Sequence, residues 1–326
     1  MRVTNIFVNN KIDLKLKNIA IIGGHGFIGK NFTHFFLEKN YKITLIGNNS
    51  SNKTFPVNVQ SVSTNVENTE LLIEAVKDAE VIIWLASSLI PGSFNESLAL
   101  DFDTNIKPVV AFLQKAESSV LKKFIYLSSG GTVYGNIDEP RLWQEKDDKS
   151  PISEYGLSKL ITENYIKFIT NTSNFESYIL RPSNVYGKFQ NLTKPQGIIG
   201  FAFKSLIQQS TIQLYDDGKV VRDFIFVDDL AEAVFKCIEA AAQPSTTHIY
   251  NVGSGSPVSI KEIVSKIGSV AQKTVQTELK PSRNFDCEFN VLNIDKIKQD
   301  LGWEPKIKID DGLKVVWEWI KQNGNG

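Results

Sequence analysis

The chain has 326 residues, enough for one large α/β unit or for two domains that share an interface. Apolar residues make up 42% and charged residues 22%, and Lys plus Arg equal Asp plus Glu at 36 each, so no overall field draws in a polyanion and nucleic acid is not the expected partner. Two distant cysteines, three scattered histidines and one methionine offer a metal no ligand set, and no stretch reaches the roughly 18 apolar residues of a membrane helix. The opening, MRVTNIFVNNKIDLKLKN, lacks the apolar run and cleavage site of a signal peptide. Residues 1–16 therefore read as an extension ahead of the first core strand of a cytoplasmic protein, and Cys237 and Cys287 are expected to be reduced and buried.

The apolar run Ile19–Ile22 predicts a strand, and Ile28–Lys39 predicts a helix that buries Ile28, Phe32, Phe35 and Phe36 on one face. Further strands are predicted at Ile43–Ile46, Val81–Leu85, Phe124–Leu127 and Ser177–Leu180, with helices at Glu70–Asp78, Thr104–Ser118 and Ser153–Asn171. Such alternation means a parallel sheet covered on both faces. Beyond residue 181 the pattern loosens, with helices at Phe201–Gln208, Leu230–Ala241 and Ile260–Ile267 and short strands at Ile212–Leu214 and His248–Val252. There is no internal repeat or low-complexity tract. The expected architecture is α/β: a Rossmann-type doubly wound parallel sheet over residues 17–180 and a smaller α/β substrate unit over 181–326, some segments of which return to the first. The cleft between them is the expected active site.

Between the first strand and helix stands GGHGFIG, with glycines at 23, 26 and 29. Glycines in a loop also serve as plain turn residues, but a strand before and an amphipathic helix after are the setting for a bound pyrophosphate. Gly23 allows the tight turn, Gly26 lets the backbone approach the phosphates, and Gly29 allows close helix–strand packing. A second motif, YGLSK, places Tyr155 and Lys159 four apart on one helical face. A neighbouring ammonium favours the phenolate and suits the tyrosine to exchange a proton with a sugar hydroxyl or ketone; a surface Tyr/Lys pair is the plain alternative.

With SSGGTVYG, LRPSNVYG, VRDFIFVDDLA, YNVGSG and LGWEPKI following in order, the chain resembles the extended short-chain dehydrogenase/reductases that act on nucleotide sugars, the family of the UDP-glucose 4-epimerases, from about residue 17 to the C-terminus. The resemblance implies that Tyr155 is the acid/base and that Lys159 tunes it while binding the nicotinamide ribose. It implies further cofactor contacts at Phe27, Ile28, Asn65, Val66, Leu85, Ala86 and Asn105, and a diphosphate held by Asn184, Arg222 and Arg283. Arginine forks suit a pyrophosphate, and Arg222 in an apolar stretch needs an anionic partner, for which neighbouring Asp223 is the alternative. Relatives pair as homodimers through the helices matching Thr104–Ser118 and Ser153–Asn171, whose outward faces are expected to carry Val110, Phe112 and Leu157.

Three departures from the family pattern matter. A serine of the epimerases is replaced here by Gly130; Ser129 and Thr132 flank the gap, and Thr132 is the candidate substitute. The acidic pair of the 4,6-dehydratases is absent at Gly131 and Thr132, which sets dehydration aside. The ribose-binding acid expected at the end of the second strand is Gly47, followed by Asn48, Asn49, Ser50, Ser51 and Lys53. Removing that carboxylate removes its repulsion of a 2′-phosphate, and His25 could reach the phosphate; the alternative is a solvated loop histidine among turn formers. NADP(H) is therefore favoured over NAD(H). The expected activity is reduction of a UDP-, dTDP- or GDP-linked 4-keto-6-deoxy sugar. The alternatives are a nucleotide-sugar 4-epimerase and a non-catalytic NADP-sensing regulator, although such regulators typically lose the tyrosine or lysine. Trp84, where relatives often carry a histidine, has no role assigned from the sequence.

Overall fold

The computed structural model describes residues 17–48, 56–89, 98–116, 120–137, 139–193, 196–281 and 287–323. Its first half runs β1 (Asn18–Ile22), α1 (Phe27–Glu38), β2 (Lys42–Gly47), β3 (Val59–Ser63), α2 (Thr69–Val76) and β4 (Val81–Trp84). A short helix α3 (Leu98–Asp101) then passes through a wide π turn, Phe102–Ile106, into α4 (Lys107–Ala116). β5 (Lys123–Leu127), α5 (Glu154–Thr170) and β6 (Glu176–Pro182) follow. The second half contains β7 (Asn184–Tyr186), α6 (Gly197–Gln208), β8 (Ile212–Tyr215), β9 (Val221–Arg222), β10 (Phe224–Phe226), α7 (Val227–Glu239) and β11 (Thr247–Val252). After these come β12 (Val258–Ser259), α8 (Ile260–Ala271), β13 (Thr277–Lys280), β14 (Phe289–Asn290), α9 (Asp295–Leu301) and α10 (Ile309–Asn323).

Among the described residues, seven strands form one parallel sheet in the order β3-β2-β1-β4-β5-β6-β11. Strand periodicity sends Ile19 and Ile21 to one face, against Phe32 and Phe36 of α1 and Leu230 and Val234 of α7. Ala20 and Ile22 go to the other, against α2, α4 and α5. The order reverses between β1 and β4, which opens a crevice at the carboxyl ends of the strands. β11 joins the large sheet beside β6 although it lies late in the chain, while a second core gathers Ile199, Phe203, Ile263, Ile267, Leu313 and Val316 from α6, α8 and α10.

Where sequence and structure differ, the reason is local. β3 has no apolar run, because at this sheet edge only Val59 is buried while Gln60, Ser61 and Ser63 are exposed. The helix predicted from Thr104 begins earlier, through the π turn; Pro108, which has no N–H to return to the carbonyl four residues back, stands just beyond it. Phe112 does not face outward as predicted. It is fully buried, its ring 5.6 Å from Trp84 and 6.3 Å from Phe124, and that stack gives Trp84 its role as a core residue. Cys237 and Cys287 are buried and unbridged. No helix among the described residues is long and apolar enough to cross a membrane.

Candidate active site

The glycine loop closes the carboxyl end of β1. Gly23 has φ +85°, and a Cβ on it would lie 2.7 Å from the Ala86 nitrogen and 3.0 Å from the Leu85 carbonyl carbon, so the loop and the residues after β4 touch through backbone. Gly26 is the N-cap of α1 and supplies no side-chain cap, leaving the first-turn amides around Phe27, Ile28 and Gly29 to a ligand. An uncapped twelve-residue helix with its positive end at the crevice fits a dinucleotide pyrophosphate.

At the end of β2 the loop histidine meets the missing acid. A Cβ on Gly47 would lie 3.1 Å from His25 Cδ2, so the imidazole lies against the place where a carboxylate side chain would start. His25 Nε2 is 3.3 Å from the Ser61 hydroxyl of β3, and Asn48 beside it is exposed. Asn49, Ser50, Ser51 and Lys53 lie outside the described residues. Asn65 turns its amide to Glu67 at 3.0 Å, and Val66 packs on the sheet.

α5 starts where Ser153 accepts a hydrogen bond from the Gly156 amide. It then carries Tyr155, Lys159 and Glu163 at successive turns of one face. A Cβ on Gly156 would lie 2.5 Å from the Thr132 carbonyl oxygen, so the glycine of YGLSK lets the helix press on the SSGGTVYG turn. Burial pushes the Tyr155 phenol up to about 12, and a hydrogen bond with the Ser129 hydroxyl works the other way. Lys159 donates to the Leu127 carbonyl at 2.9 Å, and its ammonium lies 4.7 Å from the centre of the Tyr126 ring and 5.6 Å from that of Tyr155. Burial pushes this lysine down to about 8, against the pull of Glu163 and Asp101. It is therefore a cation at neutral pH but close to losing that charge.

Thr132 is half-buried, and its Oγ1 has no hydrogen-bond partner within the protein. At Gly130 a Cβ would meet Leu292 Cδ1 at 2.6 Å and the Arg181 carbonyl at 2.9 Å, so the space a serine would need is filled from the far end of the chain. Ser129, not residue 130, brings a hydroxyl to the phenol.

Behind this turn lies a polar network. Arg181 and Glu163, both fully buried, pair through two contacts of 2.9 and 2.6 Å. Ser128 donates to Glu163 at 2.5 Å; Arg181 donates to the Tyr134 hydroxyl at 2.9 Å, which donates onward to Asn251 at 2.6 Å. At β7 the Asn184 amide donates to the Asp223 carbonyl at 2.9 Å. Arg222 Nη1 donates to the Cys287 and Val221 carbonyls at 2.6 and 2.9 Å. Its apolar surroundings are not one strand, since β9 and β10 belong to different sheets with Asp223 between them. The Asp223 carboxylate accepts from the Ser254 amide and hydroxyl and from the Gly255 and Leu292 amides; burial pushes it up while these bonds hold it down. Arg283 lies outside the described residues. Among the described residues no cluster of three or more His, Cys, Asp or Glu is placed to hold a metal ion.

A family model described as NAD dependent epimerase/dehydratase matches residues 19–253. The chain belongs to the NAD-dependent epimerase/dehydratase family. It is an enzyme of the extended short-chain dehydrogenase/reductase type. It is 29% identical over 310 residues to a putative UDP-glucose 4-epimerase of Methanocaldococcus jannaschii, covering 94% of this chain and 99% of that one. It is 28% identical to a dTDP-4-dehydro-6-deoxyglucose reductase of Escherichia coli, covering 95% and 99%. Among solved structures, the UDP-glucose 4-epimerase of Thermotoga maritima with UDP-glucose superposes with a TM-score of 0.86 at 28% identity, covering 94% and 99%.

Sequence reasoning singled out the glycine loop, Tyr155 and Lys159 and did not name Asp101, Tyr126 and Glu163, which the structure places around Lys159. Glu163 was readable, standing four residues after Lys159 on the same face. Asp101 gave no signal, because only folding brings α3 against α5.

Proposed function

We propose that this enzyme acts at C4 of a nucleotide-activated hexose and reduces a nucleotide-linked 4-keto-6-deoxy sugar with NADPH. The observation that carries the reading is the end of β2, where Gly47 offers no carboxylate and His25 occupies its approach beside Ser61. That arrangement supports an extra ribose phosphate, which Asn48, Asn49, Ser50 and Lys53 would help to hold. The amides of the Gly23–Gly29 loop would take the pyrophosphate, with Asn65, Val66, Leu85, Ala86 and Asn105 along the remaining length. Bound there, the dinucleotide supplies the hydride.

Tyr155 donates a proton to the C4 oxygen as it becomes a hydroxyl. Ser129 steadies the phenol, and Thr132 Oγ1, without a partner in the protein, is free to bond the sugar oxygen. Lys159 stabilises the phenolate left behind by its charge. Asn184, Arg222 and Arg283 would grip the diphosphate, with the carbonyl bonds of Arg222 fixing the direction of its guanidinium. For assembly, α5 exposes Leu157, Tyr165 and Phe168 along one side, a surface suited to a second copy of the chain in a homodimer.

A 4-epimerase is the second reading, favoured by the similarity to the Methanocaldococcus protein. Dissociation constants for NADPH and NADH separate the two, measured for wild type, His25→Ala and Gly47→Asp, alongside turnover of dTDP-4-keto-6-deoxyglucose and of UDP-glucose. NADPH is expected to bind more tightly to wild type. His25→Ala weakens NADPH more than NADH, and Gly47→Asp, which also displaces the imidazole, moves preference to NADH. Tighter NADH binding by wild type overturns the reductase reading. Tyr155→Phe is expected to lose at least about two orders of magnitude in turnover with cofactor binding kept; normal turnover would remove the catalytic assignment.

A further inference from the structure

We propose that Asp101 is a positioning residue for the Tyr155–Lys159 pair: its carboxylate joins the catalytic helix to the cofactor-side loop, and its charge faces Lys159. The inference rests on reading Tyr155 and Lys159 as the proton-transfer pair. Asp101 ends α3, is only 5% exposed, and stands at the entrance to the π turn. Asn105 donates to its Oδ1 at 2.8 Å, and the Ser158 hydroxyl, next to Lys159 on α5, hydrogen-bonds the same carboxyl group. Asn105 in turn accepts from the Ser88 amide at 2.7 Å and donates to the Ser88 hydroxyl at 2.7 Å. Ser88 follows Leu85 and Ala86, which lie against Gly23. A continuous set of contacts therefore runs from the glycine loop to the helix that bears the lysine, and Asp101 is the charged member in its middle. The π turn widens the backbone between Asp101 and Asn105, a distortion that recurs at functional sites.

The charge balance gives Asp101 its second task. Lys159 is faced by Glu163 from its own helix, by Asp101 from α3, by the Tyr126 ring and Leu127 carbonyl of β5, and by the Tyr155 ring. Glu163 is already matched by Arg181 with two contacts and by Ser128. Asp101 is faced by Lys159 and, with the same sign, by Glu154; burial pushes its carboxyl up, while Asn105 and Ser158 hold it down. The negative charge least neutralised by other partners is thus the one on α3, and it opposes the loss of the lysine's proton that burial favours.

Asp101→Asn keeps the shape and one acceptor oxygen, for Asn105, but removes the charge and turns the second oxygen into a donor; Asp101→Ala removes charge and hydrogen bonds alike; Asp101→Glu restores a charge on a longer arm. The direct readout is the titration of Lys159 in ligand-free protein, followed by NMR of ε-13C-labelled lysine and assigned with Lys159→Met. Asp101→Asn is expected to lower that titration by about one pH unit, with the alkaline limits of NADPH binding and of turnover moving down with it. Asp101→Glu moves the titration back toward wild type, and Asp101→Ala adds a loss of NADPH affinity across the pH range. An unchanged lysine titration in Asp101→Asn, or no recovery in Asp101→Glu, overturns the proposal. Normal turnover by Tyr155→Phe overturns the underlying reading instead, and it does so without reference to the lysine titration.

Discussion

β6 carries one member of a buried ion pair at each end, and the two pairs do different work. At the amino ends, Lys123 and Glu176 lie 3.2 Å apart. Lys123 also donates to the carbonyls of Cys237 and Ala240, at 2.9 and 2.6 Å, where α7 runs out of partners for its own carbonyls. Glu176 accepts from the Tyr178 hydroxyl and the Gln243 amide, each at 3.2 Å, with His248 at 3.6 Å. Everything this pair touches is scaffold. At the carboxyl ends, Arg181 and Glu163 are equally buried, but their neighbours are Ser128, adjoining Ser129, and Lys159, one turn up the same helix. Strand β6 and the type of interaction are shared, with the partner on β5 at one end and on α5 at the other; the consequences depend on which groups stand beside each pair.

The sharpest way to break this comparison is to neutralise one carboxylate at each end. Glu163→Gln leaves the Arg181 charge without its counter-ion and is expected to cost about 3–5 kcal/mol of stability, together with a fall in turnover per folded molecule. Glu176→Gln is expected to lower stability as well but to leave turnover per folded molecule unchanged. Denaturant titration and an active-fraction assay on both variants check this. Equal loss of turnover in both would mean that the two ends are not functionally distinct.

pH separates the ends in opposite directions. Burial pushes Lys159 down to about 8 in the folded chain, against 10.5 when unfolded, so between these values the unfolded state holds more protons and stability rises with pH. At up to 1.36 kcal/mol per pH unit the rise between pH 8 and pH 10 is about 2 kcal/mol, and Lys159→Met should flatten it, as unfolding measured at those two values would show. The enzyme thus gains stability over the range in which the Lys159 cation is being lost. At the other end burial pushes Glu176 up, but His248 and Lys123 outweigh it and hold the carboxyl below its ordinary value. Its contribution is complete above about pH 4.5 and is lost as pH falls through the lowered value; acid unfolding of Glu176→Gln should lack that component.

The smallest expected effect sharpens the contrast. Tyr178→Phe removes one hydroxyl from Glu176 and should cost about 1 kcal/mol with turnover intact. Tyr134→Phe removes the group that links Arg181 to Asn251 and should slow turnover as well as lower stability. Paired unfolding curves and rates for these two variants suffice.

Much of the frame was legible because it is local. The apolar runs of β1, β4 and β5 are buried on both faces and so read as continuous, the spacing of Phe32, Phe35 and Phe36 marks α1, and Tyr155 and Lys159 sit four apart inside a helix capped by Ser153. What was missed depends on distance or on weak patterning. β3 is a polar edge strand, and α10 buries few apolar side chains, Leu313, Val316 and Ile320, among its charged residues. The burial of Phe112 under Trp84, the Glu163–Arg181 pair and the contact of Asp101 with α5 exist only once the sheet is assembled. Gly130 looked like a lost hydroxyl, whereas the structure shows a space already taken by Leu292.

That last contact constrains how this sequence can change. A Cβ at position 130 meets both the Leu292 side chain and the Arg181 backbone carbonyl, so a smaller residue at 292 would relieve one clash, leave the other, and open a cavity in a fully buried cluster. The route from this chain to one with a serine at 130 therefore runs through a change 162 positions downstream together with a shift of the β6 backbone, and not through a single substitution in the turn.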